Sequence, residues 1–79
     1  MKIKVLGTGC SKCISLERKL NELVKEHNLD VEIEKVSQLE EIMKYGIMMT
    51  PGIVINEKVV SFGSVPKDKQ ILKWIEEAK

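Results

Sequence analysis

The sequence predicts an α/β domain in the order β-α-β-α-β-β-α, with a four-stranded mixed sheet flanked by helices on both faces. Three observations carry that expectation. Residues 3–6, 31–36, 53–55 and 58–61 are short runs rich in β-branched side chains, bounded by polar residues or glycine. Leu16, Leu20, Leu23 and later Ile71, Trp74, Ile75, Ala78 recur at spacings of three and four, the mark of helices with one apolar face. The polar dipeptide Asn56-Glu57 separates two of the β-rich runs, which predicts a hairpin.

Ile3 and Val5 alternate with Lys2 and Lys4, Leu6 follows, and Gly7-Thr8-Gly9 ends the run, so a first strand delivers the chain into a tight turn. From Cys13 the apolar positions fall at Leu16, Leu20, Leu23, Val24 and His27, with Arg18, Lys19, Glu22, Lys25 and Glu26 on the other faces and Asn28 as the stop. Val31 and Ile33 alternate with Glu32 and Glu34, and Val36 completes a second strand. Strand, helix and strand in this order favour parallel pairing through a right-handed crossover. Ser37-Gln38-Leu39-Glu40 has the capping-box pattern and opens a short helix with Leu39, Ile42 and Met43 on one side, ending near Gly46. Met48-Met49-Thr50-Pro51-Gly52 leads into the hairpin, and Gly63-Ser64-Val65-Pro66 breaks it. A last helix begins at Lys67, and its spacing makes Trp74 a core residue rather than a partner-binding anchor.

With 79 residues the chain makes one domain, residues 1–79. Hydrophobic residues at 43% and charged residues at 32% suit a packed domain and exclude a disordered one. The net charge of +1 is evenly spread, and Tyr45, Phe62 and Trp74 are the only aromatics, so neither a basic stripe nor a stacking platform for nucleic acid exists. No stretch reads as a signal peptide or reaches membrane-spanning length, which predicts a cytoplasmic protein without membrane contact. A monomer is expected.

Cys10-Ser11-Lys12-Cys13 is the motif that carries chemistry. A bond between these cysteines closes almost no loop and stabilises little, so the pair is catalytic, redox-sensing or metal-binding rather than structural. It sits where a strand ends and a helix begins. Cys10 falls at or near the N-cap, where unpaired N–H groups and the positive end of the helix dipole favour a thiolate. Cys13 lies one turn on, along the apolar face of Leu16 and Leu20. Position thus makes Cys10 the nucleophile and Cys13 the resolving thiol of a reversible disulfide.

Other chemistries compete for the same residues. Two thiolates after a first strand also suit a soft-metal chaperone of the copper type, the alternative reading. Against it stand Thr8-Gly9 before Cys10, a closing helix, and a Thr50-Pro51 without a role. A zinc site needs four ligands, and His27 lies about four turns along the same helix, too far to join the cysteines. Gly7-Thr8-Gly9 does not match a phosphate-binding glycine loop, since Lys12 stands where the dinucleotide fingerprint needs glycine. No cofactor or metal is called for.

The arrangement resembles the thioredoxin superfamily. The resemblance rests on a strand, Cys10-Ser11-Lys12-Cys13 at a helix start, a crossover, Thr50-Pro51 before a hairpin, Gly63 after it, and a last helix. It covers nearly the whole chain. The length is similar to glutaredoxin-sized members, and Gly7-Thr8-Gly9-Cys10 is similar to the prokaryotic small redox-active disulfide proteins. The resemblance implies a thioredoxin-like fold, a cis Thr50–Pro51 bond beside the cysteines, and a Thr50–Pro51 backbone that binds an extended substrate segment. Met48 and Met49 would lie there, at least one buried under the sheet. It also implies protein disulfide substrates and a thioredoxin-reductase-like electron donor. The chain departs from thioredoxins in having Gly9 before the first cysteine, Ser11-Lys12 without a proline between them, and Val5-Leu6 where a buried acid would stand. No general base is named. Gly63-Ser64-Val65-Pro66 matches the glutathione-binding pattern only in part, so glutathione is not the expected substrate.

Overall fold

Alternation in β1 (Lys2–Leu6) sends Ile3 and Val5 to one face of the sheet and Lys4 and Leu6 to the other, and each face acquires its own core. The computed structural model describes residues 1–78. After β1 come α1 (Ser11–Glu26), β2 (Glu32–Val36), α2 (Leu39–Lys44), β3 (Gly52–Ile55), β4 (Lys58–Phe62) and α3 (Asp68–Glu77). The element order is the one the sequence predicts.

The strands pair in the order β2-β1-β3-β4. β1 runs parallel to β2, with Ile3 opposite Ile33, and antiparallel to β3, with Val5 opposite Ile53. β3 and β4 form the hairpin, with a register shift between Ile53 and Val54. On one face, Ile3, Val5, Ile53 and Ile55 pack with Leu16, Leu20 and Leu23 of α1 and Ile71 and Ile75 of α3. On the other, Leu6 and Val54 pack with Ile42 of α2 and with Ile47. Helices therefore cover both faces, and Trp74 is half-buried against the larger core. Lys19 of α1 donates to the Pro66 carbonyl at 3.1 Å and pairs with Asp68 at 3.2 Å, tying α1 to the start of α3.

The stop at Asn28 takes a definite form. Asn28 is left-handed (φ 49°), the Leu29 N–H donates to the Val24 carbonyl at 3.0 Å, and the Asn28 N–H points to Lys25 at 3.4 Å. These two bonds are a Schellman cap, which closes the last carbonyls of α1. His27 is the C-cap and is exposed, so it leaves the apolar stripe to which its spacing assigned it.

Helix α2 differs from expectation in two ways. Its N-cap is Gln38, one residue past Ser37, and no side chain caps it, so the capping box does not form. Of the three apolar residues assigned to its buried side, only Ile42 is buried; Leu39 is 62% and Met43 64% exposed. A helix of 6 residues lying on the sheet brings few side chains to it, and Ile47 beyond its end supplies the second buried contact.

The hairpin turn Asn56-Glu57 has φ of 49° and 68°, the conformation of a two-residue type I′ turn. Glycine usually fills the second position. Here Glu57 is anchored there: Lys4 pairs with it at 2.8 Å and the Tyr45 hydroxyl donates to it at 3.1 Å. Lys4 also donates to the Tyr45 hydroxyl at 2.8 Å, so β1, the end of α2 and the turn meet at one polar cluster.

Two outcomes follow. Leu20→Ala empties a fully buried position of the larger core and should lower stability by about 3 kcal/mol in urea denaturation. Lys4, and secondarily Tyr45, hold the Glu57 carboxyl below the ordinary carboxylate range. A group with a depressed folded value stabilises above its unfolded pKa, and that contribution is lost as pH falls through the folded value. Glu57→Gln should therefore lower the urea midpoint at neutral pH, with the gap to the parent protein closing as the medium is acidified.

Candidate redox site

The site is assembled where β1 ends. Gly7 donates its N–H to the Val36 carbonyl at 2.9 Å, which keeps it paired with the end of β2. A Cβ built on Gly7 would stand 2.5 Å from Cys13 Sγ and 2.8 Å from Cys13 Cβ. The side chain of Cys13 thus occupies the space that any other residue at position 7 would need. Gly9, at φ +95°, then turns the chain in a conformation that L side chains rarely adopt, and α1 starts.

Cys10 is the N-cap of α1, with φ −70° and ψ 167°. Its carbonyl accepts from the Ile14 N–H at 3.0 Å, and its Sγ accepts from the Cys13 N–H at 3.3 Å. Sulfur here takes the place of the oxygen of a usual capping residue. The two cysteines are free thiols, Cys10 exposed and Cys13 buried. The first turn holds no acidic residue, so no like charge opposes a thiolate at this helix end.

The Cys10 thiol is held below its ordinary pKa. The Cys13 side chain contributes most, followed by the Cys13 backbone N–H, with smaller help from the Thr50 hydroxyl and the Lys12 backbone N–H; burial opposes them. Hydrogen-bond donors favour the charged form, and that effect prevails here. Thr50, forty residues away in sequence, is therefore brought to the sulfur. The Thr50–Pro51 bond is cis, Pro51 is buried, and its carbonyl accepts from the Gly63 N–H at 2.8 Å.

The structure thus gathers Cys10, Cys13, Thr50 and Pro51 at one end of the sheet. Met48 and Met49 depart from expectation: neither is buried, with 91% and 61% of their surfaces exposed. Ile47 and Pro51 take the buried positions on either side, which leaves the two methionines facing outward. The sequence reads Gly7 as part of the tight turn that ends the strand; its close approach to Cys13 is a feature that only the packing reveals. Among the described residues no polar or charged side chain is buried, so no buried carboxylate accompanies Cys13. A cavity of about 670 Å³, lined by Met1, His27, Asp30 and Asn56 among others, lies toward the opposite end of β1 from the cysteines.

Gly7→Ala should displace Cys13, cost about 1–3 kcal/mol as an overpacked position, and slow closure of the Cys10–Cys13 disulfide in stopped-flow oxidation. Thr50→Val should move the pH midpoint of Cys10 alkylation upward, because a donor to the thiolate is lost.

Residues 1–76 match the thioredoxin domain family. A thioredoxin of Methanothermobacter thermautotrophicus is 36% identical over 73 residues, 92% of this chain and 95% of that one. A thioredoxin of Methanocaldococcus jannaschii is 33% identical over 69 residues, 87% of this chain and 79% of that one. In three dimensions the chain is similar to thioredoxin 1 of Thermosipho africanus TCF52B, with a TM-score of 0.66, 21% identity, and 98% of this chain and 92% of that one covered. The soft-metal alternative gains nothing from these relatives. With a matched domain over nearly its whole length and a spaced thiol pair at the start of α1, the chain belongs to the thioredoxin family and is a thiol–disulfide oxidoreductase.

Proposed function

We propose that Cys10 is the attacking thiolate, Cys13 the resolving thiol, and the Thr50–Pro51 backbone the platform for a protein disulfide. The observation that carries this reading is the contrast within the pair: Cys10 is exposed at the N-cap with the Cys13 N–H on its sulfur, and Cys13 is buried behind it. In the first step the Cys10 thiolate attacks one sulfur of the substrate disulfide; an S–S bond forms as the substrate S–S bond breaks and a substrate thiolate leaves. In the second, Cys13 gives up its proton and its sulfur attacks Cys10 Sγ, releasing the second substrate thiolate. The substrate gains two electrons and the protein retains a Cys10–Cys13 disulfide.

With no buried carboxylate beside Cys13 among the described residues, its proton passes to the departing thiolate or to water. The substrate segment lies extended along Thr50, in the manner of strand addition. A thioredoxin-reductase-like protein returns the dithiol, and the protein works as a monomer in the cytoplasm. Among the described residues no helix is long and apolar enough to cross a membrane.

Cys13→Ser should trap mixed disulfides with partner proteins, and Cys10→Ser should trap none; equal trapping by both overturns the division of roles. Thiol trapping across a dithiol redox buffer series, read by intact mass, should give one reversible two-electron transition between roughly −120 and −270 mV.

A further inference from the structure

We propose that Met48 and Met49 form a hydroperoxide-sensitive modification site that controls docking of protein substrates at Cys10. The inference rests on the reading of the Thr50–Pro51 segment as the substrate platform. The chain has four methionines. Met1 is half-buried against the larger core, and Met43 lies on α2, outside the segment that leads to Thr50. Met48 and Met49 immediately precede Thr50, whose hydroxyl acts on the Cys10 thiol, and Met48 is 91% exposed.

Met49 borders the same platform at Gly63. Its Cβ and Sδ come within 3.5 and 3.6 Å of the position a Gly63 Cβ would take, and the Gly63 N–H is bonded to the Pro51 carbonyl. Phe62, opposite Gly52 in the hairpin, is half exposed on the neighbouring strand end. On this reading a protein segment docked along Thr50 lies beside these exposed methionines, whose thioethers are flexible, polarizable and apolar contacts.

Oxidation changes their chemistry. A hydroperoxide transfers its terminal oxygen to the thioether: the S–O bond forms as the O–O bond breaks, sulfur loses two electrons, and the peroxide leaves as an alcohol or water after taking up the proton. The resulting sulfoxide is polar and chiral, and it cannot be buried against apolar groups without loss. A substrate that needs the platform docks more weakly. A small disulfide that meets Cys10 directly does not. Sulfoxide reductases for the two epimers restore the thioethers.

The test oxidises the protein with hydrogen peroxide while Cys10 and Cys13 are protected as their disulfide, then removes peroxide and reduces the pair with dithiothreitol. Peptide mass spectrometry locates the sulfoxides. The rate with a protein disulfide should fall about tenfold, on the scale of one lost apolar contact, with little change toward a small aromatic disulfide. Treatment with both sulfoxide reductases should restore it. Each variant is compared with itself before peroxide: Met48→Leu/Met49→Leu should keep its rate, and Met43→Leu should lose as much as the parent. An unchanged rate with both sulfoxides present overturns the proposal, as does equal loss toward both disulfides or equal loss in the double variant. Before peroxide, failure of the protein to exchange with either disulfide overturns the oxidoreductase roles instead.

Discussion

The contact between the Cys13 side chain and the backbone of Gly7 is the constraint on which the rest of the site depends. Cys13 fills the space where a residue 7 side chain would stand. That contact fixes the first turn of α1 against the end of β1, and through it the direction in which the Cys13 N–H points. Cys10 then has a backbone donor for its sulfur without any charged neighbour being needed. A side chain at position 7 would move the helix start, and the thiolate would lose the donor that most directly follows from helix geometry.

The scaffold holds this junction from both faces of the sheet. Leu16, Leu20 and Leu23 seat α1 on the larger core, which is shared with α3, so the helix bearing the cysteines is fixed along most of its length. The segment carrying Thr50 belongs to the other face. Ile47 anchors it in the smaller core, and Pro51 is buried at its end with its carbonyl bonded to Gly63. Lys4, Tyr45 and Glu57 add a polar clamp at the end of α2. Two independently packed layers therefore meet where the Thr50 hydroxyl helps to lower the Cys10 pKa. Such a site is preorganised by its supports rather than by contacts among its reactive groups alone.

This arrangement stabilises a thiolate by neutral donors. The first turn of α1 contains no acid, and the contributions to Cys10 come from a thiol, two backbone N–H groups and a hydroxyl. Hydrogen bonds of this kind are short in range and little affected by salt, unlike a field from the exposed Lys12. The absence of a buried carboxylate beside Cys13 among the described residues fits the apolar end of β1, where Val5 is covered by the larger core on one face of the sheet and Leu6 by the smaller core on the other.

Much of this was legible in the amino acids. Alternation in residues 2–6, the three-and-four spacing after Cys13 and the Asn56-Glu57 turn determined the element order, because burial on one side imposes its period on the sequence. The strand-to-helix position of Cys10 and Cys13 marked the reactive pair, because helix N-termini present unpaired donors, and the order of motifs around it favoured disulfide exchange over metal binding. Only the tertiary structure decided the rest. Whether Leu39, Met43, Met48 and Met49 are buried depends on how much of α2 and its following segment the sheet can cover, and local spacing does not encode that. His27 left its stripe because the cap at Asn28 ends the helix before a core contact is made. The approach of Cys13 to Gly7, of Thr50 to Cys10, and of Lys4 to Glu57 joins residues far apart in the chain or across a turn, and such distances are set by packing, not by sequence order.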